Sequence, residues 1–368
     1  MNIEFTNRLS KIEEILNKAI PMDFTKEWSE YSFGSLPKAV KPLFIQNLIE
    51  PNKNLIDLGG KRWRPLLLIL SYELSKIYNT DFVDEEIAYG LTPLVEFVHT
   101  ASLIHDDIED SADLRRGKPA AHITYGLDTA LNAASWLYFE APVCLLSLNL
   151  TEKQRLTFYN LYTQELRRLH LGQAMDIYWH REKNVFPTME EYKAMVKNKT
   201  GTLASLSAKT GFTAGGACTE DCQNIGEIAS NIGVGFQIID DVINLTKGNP
   251  GKKRGDDIVE GKKSLPVLIH VEKRPEDKAE IARLMEQAQK EGIDSPAVEN
   301  CIKLLETSGC IQEAAQIGKK LIHENCSAYA EFYKSKKVSV SKEKVEAGEK
   351  ITILISELFD SMIPEAFK

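Results

Sequence analysis

Two apolar stretches of this chain each run straight into a cluster of carboxylates, and no fold that hides both in a uniform core is open to it. The first, EFVHTASLIHDDIEDSADLRRGKP over 96–119, carries Asp106, Asp107, Glu109 and Asp110. The second, VGFQIIDDVIN over 234–244, carries Asp240, Asp241 and Asn244. On a helix, residues four apart share a face, rotated by about 40°. Asp106 and Asp110 therefore sit together and repel unless a cation lies between them. His99 falls on the same stripe, and Gln237, Asp240, Asp241 and Asn244 share one broad face of the second stretch. Two such helix ends facing one another would surround a cavity with oxygen ligands. Hard oxygen donors without Cys or His companions suit Mg²⁺, which keeps much of its water and bridges carboxylates to a phosphate. A lone acidic motif is usually a solvated helix end; its recurrence after a second apolar helix favours the metal.

The rest of the chain is helical by periodicity. Asn-Gly hairpins are absent and sustained alternation is scarce. The spacing predicts helices over 6–19, 64–78, 84–109, 129–148, 152–179, 188–217, 222–245, 265–271, 278–291, 295–307, 310–333 and 342–362, with broken helix and loop over 22–60 around Pro37, Pro42 and Pro51. This predicts an all-α protein, one large domain over 1–368, with its motifs over about 55–271 and a helical C-terminal part over 272–368. A hydrophobic content of 43% in 368 residues is enough for a large core. A net charge of −8 excludes a global nucleic-acid surface. The six cysteines form no paired CxxC set, so free thiols in a reducing cytoplasm are expected. The start, MNIEFTNRLSKIEE, lacks the apolar core of a signal segment, and no run reads as a membrane span; Trp136–Leu150 is interrupted by Glu140 and Pro142.

The acidic ends have basic counterparts. Gly59-Gly60-Lys61-Arg62-Trp63-Arg64-Pro65 precedes a helix, where freed backbone and helix N–H groups suit an anion. Arg115-Arg116 follows the first motif, and Arg suits bidentate phosphate contacts. Lys199-Thr200-Gly201 sits mid-helix with no packing purpose legible in the sequence. Lys252, Lys253 and Arg254 lie in a loop, followed by Gly261-Lys262-Lys263-Ser264. Lys253, Arg254 and Lys263 read as solvated charges, the usual fate of such residues.

In this order, GGKRWRP, HTASLIHDDIED with LRRGKP, KTG, GFQIIDDVIN and GDDIVEGKKSLP resemble the trans-isoprenyl diphosphate synthase family over about 55–271. ASWLYFEA, LHLGQAMDIYW and PTMEEYKAMVKNKTG are similar to the eukaryotic-type geranylgeranyl diphosphate synthases. The resemblance implies helices around a deep cavity, usually in a homodimer. It implies condensation of isopentenyl diphosphate with an allylic diphosphate (dimethylallyl, geranyl or farnesyl) and no nucleic-acid partner. Asp106, Asp110 and Asp240 would hold Mg²⁺, with Asp107 and Asp241 supporting; three ions are expected with substrate bound. Arg115, Lys199, Thr200, Gln237 and Lys252 would bind the allylic diphosphate, and Lys61, Arg64, His99 and Arg116 isopentenyl diphosphate, in a pocket shaped by Gly60. Lys262 would close the site over the leaving group, and Asp106, Asp110, Lys199, Asp240 and Lys252 carry the catalysis.

Ala101 and Ser102 stand where short-chain members carry aromatic residues, and Tyr125 and His170 where the similar subgroup sets its tunnel floor. Together they imply a twenty-carbon product, with a longer-chain synthase as the alternative. For His170, a helix-packing histidine is the competing reading. A class I terpene cyclase would show an NDxxSxxxE motif and lack GGKRWRP. A non-catalytic partner subunit would usually have lost an acidic motif, and this chain keeps both.

Overall fold

The computed structural model describes residues 3–248, 253–336 and 341–368. Among them the architecture is all-α, and the one pair of strands is a two-residue hairpin. The chain divides into two compact units, one of Met1–Gln164 with Leu206–Gln223 and one of Glu165–Ser205 with Asn224–Lys368.

The first unit begins with α1 (Ile3–Ala19), which buries Phe5, Ile12 and Leu16 on one face. Helix α2 (Lys26–Phe33) starts at Thr25, whose hydroxyl accepts from the Trp28 N–H. Helix α3 (Pro42–Asp57) places Pro42 in its first turn, where no N–H is needed, and tolerates Pro51 inside. The broken helix and loop expected over 22–60 thus takes the form of two helices. Helix α4 (Trp63–Ser75) is buried nearly all round. The expected helix over 84–109 is two, α5 (Glu85–Gly90) and α6 (Pro93–Glu109), because Pro93 opens the second. Glu85–Glu109 is long and apolar enough to cross a bilayer, but 72% of its most apolar window is buried inside the protein, as in a core helix. After the hairpin of β1 (Leu114–Arg115) and β2 (Lys118–Pro119) come α7 (Ala121–Tyr125) and α8 (Leu127–Glu140). Pro142 forces a 3₁₀ turn, Ala141–Val143, before α9 (Cys144–Ser147), so the expected helix over 129–148 is also interrupted.

Helix α10 (Glu152–Arg181) carries the chain from the first unit to the second. There α11 (Met189–Val196) starts with a capping box between Thr188 and Glu191 and continues through a π-helical turn, Lys197–Gly201, into α12 (Thr202–Ala214). Helices α13 (Thr219–Thr246), α14 (Asp256–Glu260) and α15 (Leu265–Lys273) follow, then α16 (Lys278–Glu291), α17 (Pro296–Thr307), α18 (Cys310–Lys336) and α19 (Lys342–Asp360). Val242, Leu245 and Ile258 share one core with Ile281, Leu284, Val298 and Ile302. The C-terminal third is therefore part of the packing that seats the second acidic motif.

Candidate active site

In the first unit the acidic cluster closes α6. Asp110 is the helix C-cap, its N–H donating to the Asp106 carbonyl at 2.8 Å. Asp107 is only 1% exposed and turns inward. Arg115 Nε donates to its two oxygens at 2.8 and 3.0 Å, and Arg115 Nη2 lies 3.8 Å from Asp106 Oδ2. The hairpin aims these arginines. Arg116 and Gly117 both have positive φ, 51° and 75°, as a two-residue type I′ turn requires. Arg115 is sent back to Asp107, while Arg116 donates to the Gly59 carbonyl and, at 3.3 Å, to that of Leu55. Gly60 permits this approach: a Cβ there would lie 3.0 Å from Arg116 Nη2.

Arg64, in the first turn of α4, brings Nη1 to 3.2 Å from His99 Nε2 and lies over the Trp63 ring. Burial, then the charges of Arg64, Arg116, Arg115 and Arg62, push the His99 pKa well below the ordinary value. His99 is thus a neutral imidazole among guanidiniums, able to share a proton with Arg64 or to meet an anion without adding charge. Lys61 is exposed. Ala101 is fully buried on α6, and half-buried Ser102 donates to the His99 carbonyl at 2.9 Å. The Tyr125 hydroxyl accepts from the Asn54 side chain. His170 lies on an exposed part of α10.

In the second unit the motif on α13 is the end of a hydrogen-bond chain. Thr200 Oγ1 donates to Gln237 Oε1 at 2.9 Å, and Gln237 Nε2 donates to Asp241 Oδ1 at 3.1 Å. Tyr192 OH donates to Asp241 Oδ2 at 2.6 Å. Burial outweighs these bonds and, with Asp240 beside it, pushes the Asp241 pKa up to about 6. Asn244 is buried, and its side-chain oxygen accepts from the Asp257 N–H at 3.3 Å. Where a full second DDxxD would carry an acid, this chain uses an amide that ties α13 to the start of α14.

Lys199 Nζ lies 2.6 Å from Asp176 Oδ2, and His180 Nε2 lies 3.0 Å from Asp176 Oδ1. Burial alone would raise the Asp176 pKa; Lys199, His180 and Lys262 overcome it and hold the carboxyl well below the usual range. Gly172 lets α10 press onto this turn, since a Cβ there would lie 2.2 Å from the Lys199 nitrogen. Gly201 meets Ser230 in the same way, at 2.7 Å. The Lys-Thr-Gly segment therefore has a packing purpose after all: it is a π-turn held between two close helix approaches. Lys262 pairs with Glu260 and lies 3.8 Å from Asp257.

Lys252 lies outside the described residues. Lys253 and Arg254 are surface cations paired with Asp294 at 2.8 Å and Glu306 at 2.7 Å. Lys263 is not the solvated charge expected of it. It is 4% exposed, its ammonium lies over the Phe186 ring, and burial lowers its pKa to about 8. Asp176, His180 and Tyr192 escaped the sequence reading. The pair at i and i+4 in MDIYWH was a usable signal for the first two, and nothing marked Tyr192.

Metal fit rests on the donor set. Among the described residues no three His, Cys, Asp or Glu side chains form a ready-made cluster. The candidate ligands are all carboxylate oxygens, which suits a hard divalent ion completed by water and a ligand's phosphate. Asp107 holds Arg115, and Asp241 holds Tyr192 and Gln237.

Fold and site together define an all-α protein that brings basic and carboxylate side chains together within each of its two units. The polyprenyl synthetase family model matches residues 45–305, and the chain belongs to that family. Its members are prenyltransferases that use divalent metal ions. Over 263 residues the chain is 34% identical to the short chain isoprenyl diphosphate synthase of Methanocaldococcus jannaschii, covering 71% of this chain and 77% of that one. It is 36% identical over 267 residues to a geranylgeranyl pyrophosphate synthase of Neocamarosporium betae, covering 72% of each. Among solved structures, geranylgeranyl pyrophosphate synthetase of Pyrococcus horikoshii superposes with a TM-score of 0.74 at 27% identity, covering 95% of this chain and 96% of that one.

Proposed function

We propose that this chain condenses isopentenyl diphosphate head to tail with an allylic diphosphate and releases mainly geranylgeranyl diphosphate, with Mg²⁺ as the metal. The observation that carries the reading is one unit holding both an acidic helix end, Asp106 and Asp110, and a basic group of Arg64, Arg116 and neutral His99. An anion pocket beside a carboxylate pair has no use in a structural helix bundle, and both have one in a reaction of two diphosphates.

The chain's residues divide the work. Lys61, Arg64, His99 and Arg116 hold isopentenyl diphosphate, with Gly60 leaving room for Arg116. Arg115, Lys199, Thr200, Gln237 and Lys252 hold the allylic diphosphate, and Lys262 covers it. Asp106, Asp110 and Asp240 would hold the metal, and Asp107 and Asp241 brace Arg115 and Gln237. When bound, Mg²⁺ supplies positive charge to the leaving diphosphate. As the allylic C–O bond breaks, Lys199 and Lys262 stabilise the charge growing on that oxygen. The double bond of isopentenyl diphosphate, held alongside, attacks the allylic cation and forms the new C–C bond. A proton then leaves the adjacent carbon to the released diphosphate. Catalysis here needs no nucleophilic side chain.

Small Ala101 and Ser102 support a product longer than fifteen carbons, and the matched geranylgeranyl synthases support twenty. The two units are read as one catalytic domain, with α10, α12 and α13 each divided between them. A homodimer is supported by the exposed apolar residues Leu131, Phe139 and Leu156 of the first unit, Phe139 at 78%. The six free thiols support a reducing, cytoplasmic setting. The test is a product assay from each allylic primer with isopentenyl diphosphate and Mg²⁺, resolved by chain length. A twenty-carbon product is expected; mainly longer chains would reassign the enzyme, and a folded Asp106→Ala variant with near-normal turnover would sink the reading.

A further inference from the structure

Arg62 stands among residues given a ligand role, yet its own guanidinium is turned onto protein partners. It is the N-cap of α4, with φ 47° and ψ 29°, a left-handed conformation that side-chain-bearing residues seldom adopt. Its side chain is 2% exposed, and every nitrogen of the fork is engaged. Nε donates to Glu13 Oε1 at 2.7 Å, Nη1 to Glu96 Oε1 at 2.7 Å, and Nη2 to the Ile56 carbonyl. Three elements that are separate in sequence, α1, α3 and α6, thus meet on one guanidinium.

The consequence lies two residues on. Glu96 and His99 are one turn apart on α6. Glu96 grips Arg62, and His99 meets Arg64 at 3.2 Å. The start of α4 is pinned to α6 at alternate residues, so the Arg62 contact sets where Arg64 and His99 come together. On the other side, Arg116 reaches the Leu55 and Gly59 carbonyls, next to the Ile56 carbonyl that Arg62 holds. The charge of Arg62 is matched by two carboxylates, which leaves the anion to Lys61, Arg64 and Arg116.

We infer that Arg62 is a positioning residue for the isopentenyl diphosphate pocket, and that Glu13 of the first helix belongs to that pocket's scaffold. This rests on the functional reading above. It separates from a direct phosphate-binding role for Arg62 by sign: removing a carboxylate would release the guanidinium to a ligand and tighten binding if Arg62 were a binder, and would loosen binding if it is a scaffold.

The experiment is steady-state kinetics with both diphosphates and Mg²⁺ on the unaltered enzyme, Glu13→Gln and Arg62→Gln, with thermal melts alongside. Glu13 is 40% exposed, so its variant keeps the fold. Expected is a KM for isopentenyl diphosphate raised about threefold in Glu13→Gln and about tenfold in Arg62→Gln, with kcat and the allylic KM within about twofold. A Glu13→Gln KM that is unchanged or lowered overturns the inference, as does a parallel rise for both substrates. An unaltered enzyme with no turnover overturns the functional reading and this inference with it; an active one with unshifted variants overturns this inference alone.

Discussion

At the scale of single residues, the geometry around Lys199 is tightly constrained. Gly172 has no room for a methyl group, because a Cβ would lie 2.2 Å from the Lys199 backbone nitrogen. Gly172→Ala is expected to cost about 1–3 kcal/mol by urea unfolding, since overpacking forces backbone apart. It should also raise the allylic KM, by moving the π-turn that presents Lys199. Asp176→Asn tests the counter-charge. The buried carboxylate pairs with Lys199 and His180, and removing one partner of a buried pair leaves charge uncompensated, at a cost of about 3–5 kcal/mol. Urea unfolding of that variant at neutral pH reads the loss directly. Lys263 and Asn244 belong to the same scale: a cation taken into the core and an amide used as a tie, both opposite to what their residue types suggest.

At the scale of elements, two contacts carry measurable consequences. The capping box of α11 satisfies the Glu191 N–H through Thr188 Oγ1 at 3.1 Å and the Thr188 N–H through Glu191 Oε2 at 2.7 Å. Thr188→Ala should cost about 1 kcal/mol in chemical denaturation. Helix α2 is held to α8 and the 3₁₀ turn after it by a Phe33–Trp136 stack at 5.9 Å, a Tyr31 bond to the Val143 carbonyl and Ser32 Oγ donating to Glu140 Oε2 at 2.6 Å. Burial raises the Glu140 pKa from 4.5 to about 7, and the Ser32 bond only partly opposes it. Because the folded state favours the protonated acid, this contribution is full below pH 4.5 and lost as pH rises through 7. Its size is on the order of 3 kcal/mol. Thermal melts should show Glu140→Gln gaining stability over the parent at pH 8 and little at pH 5.

At the scale of the whole molecule the open quantities are product length and assembly. Ser102 is half-buried on the same helix as the first acidic motif, so a larger side chain there can be accommodated and would shorten the space available to a growing chain. Ser102→Phe is expected to shift the main product from twenty toward fifteen carbons while turnover persists, read by chromatography of the dephosphorylated products. In sedimentation the enzyme should run at twice its chain mass of 41.4 kDa, and Phe139→Glu should bring it toward that single mass.

Much of this protein was legible in its residues. Periodicity over a few turns is a local property, so the all-α class, the two acidic helix ends and the basic blocks could be read directly. Chain breaks at Pro93 and Pro142 were visible as residues, and only their effect on helix length had to be seen. Asp176 meets Lys199 across 23 positions, Tyr192 meets Asp241 across 49, and Arg62 meets Glu13 across 49. No spacing rule reaches that far. Burial decides which charge is a ligand group and which is a tie, because removing a charge from water is costly unless a partner is in place. What a residue can do was set by its type; what Asp107, Asn244, Lys263 and Arg62 do was decided only when packing chose their partners.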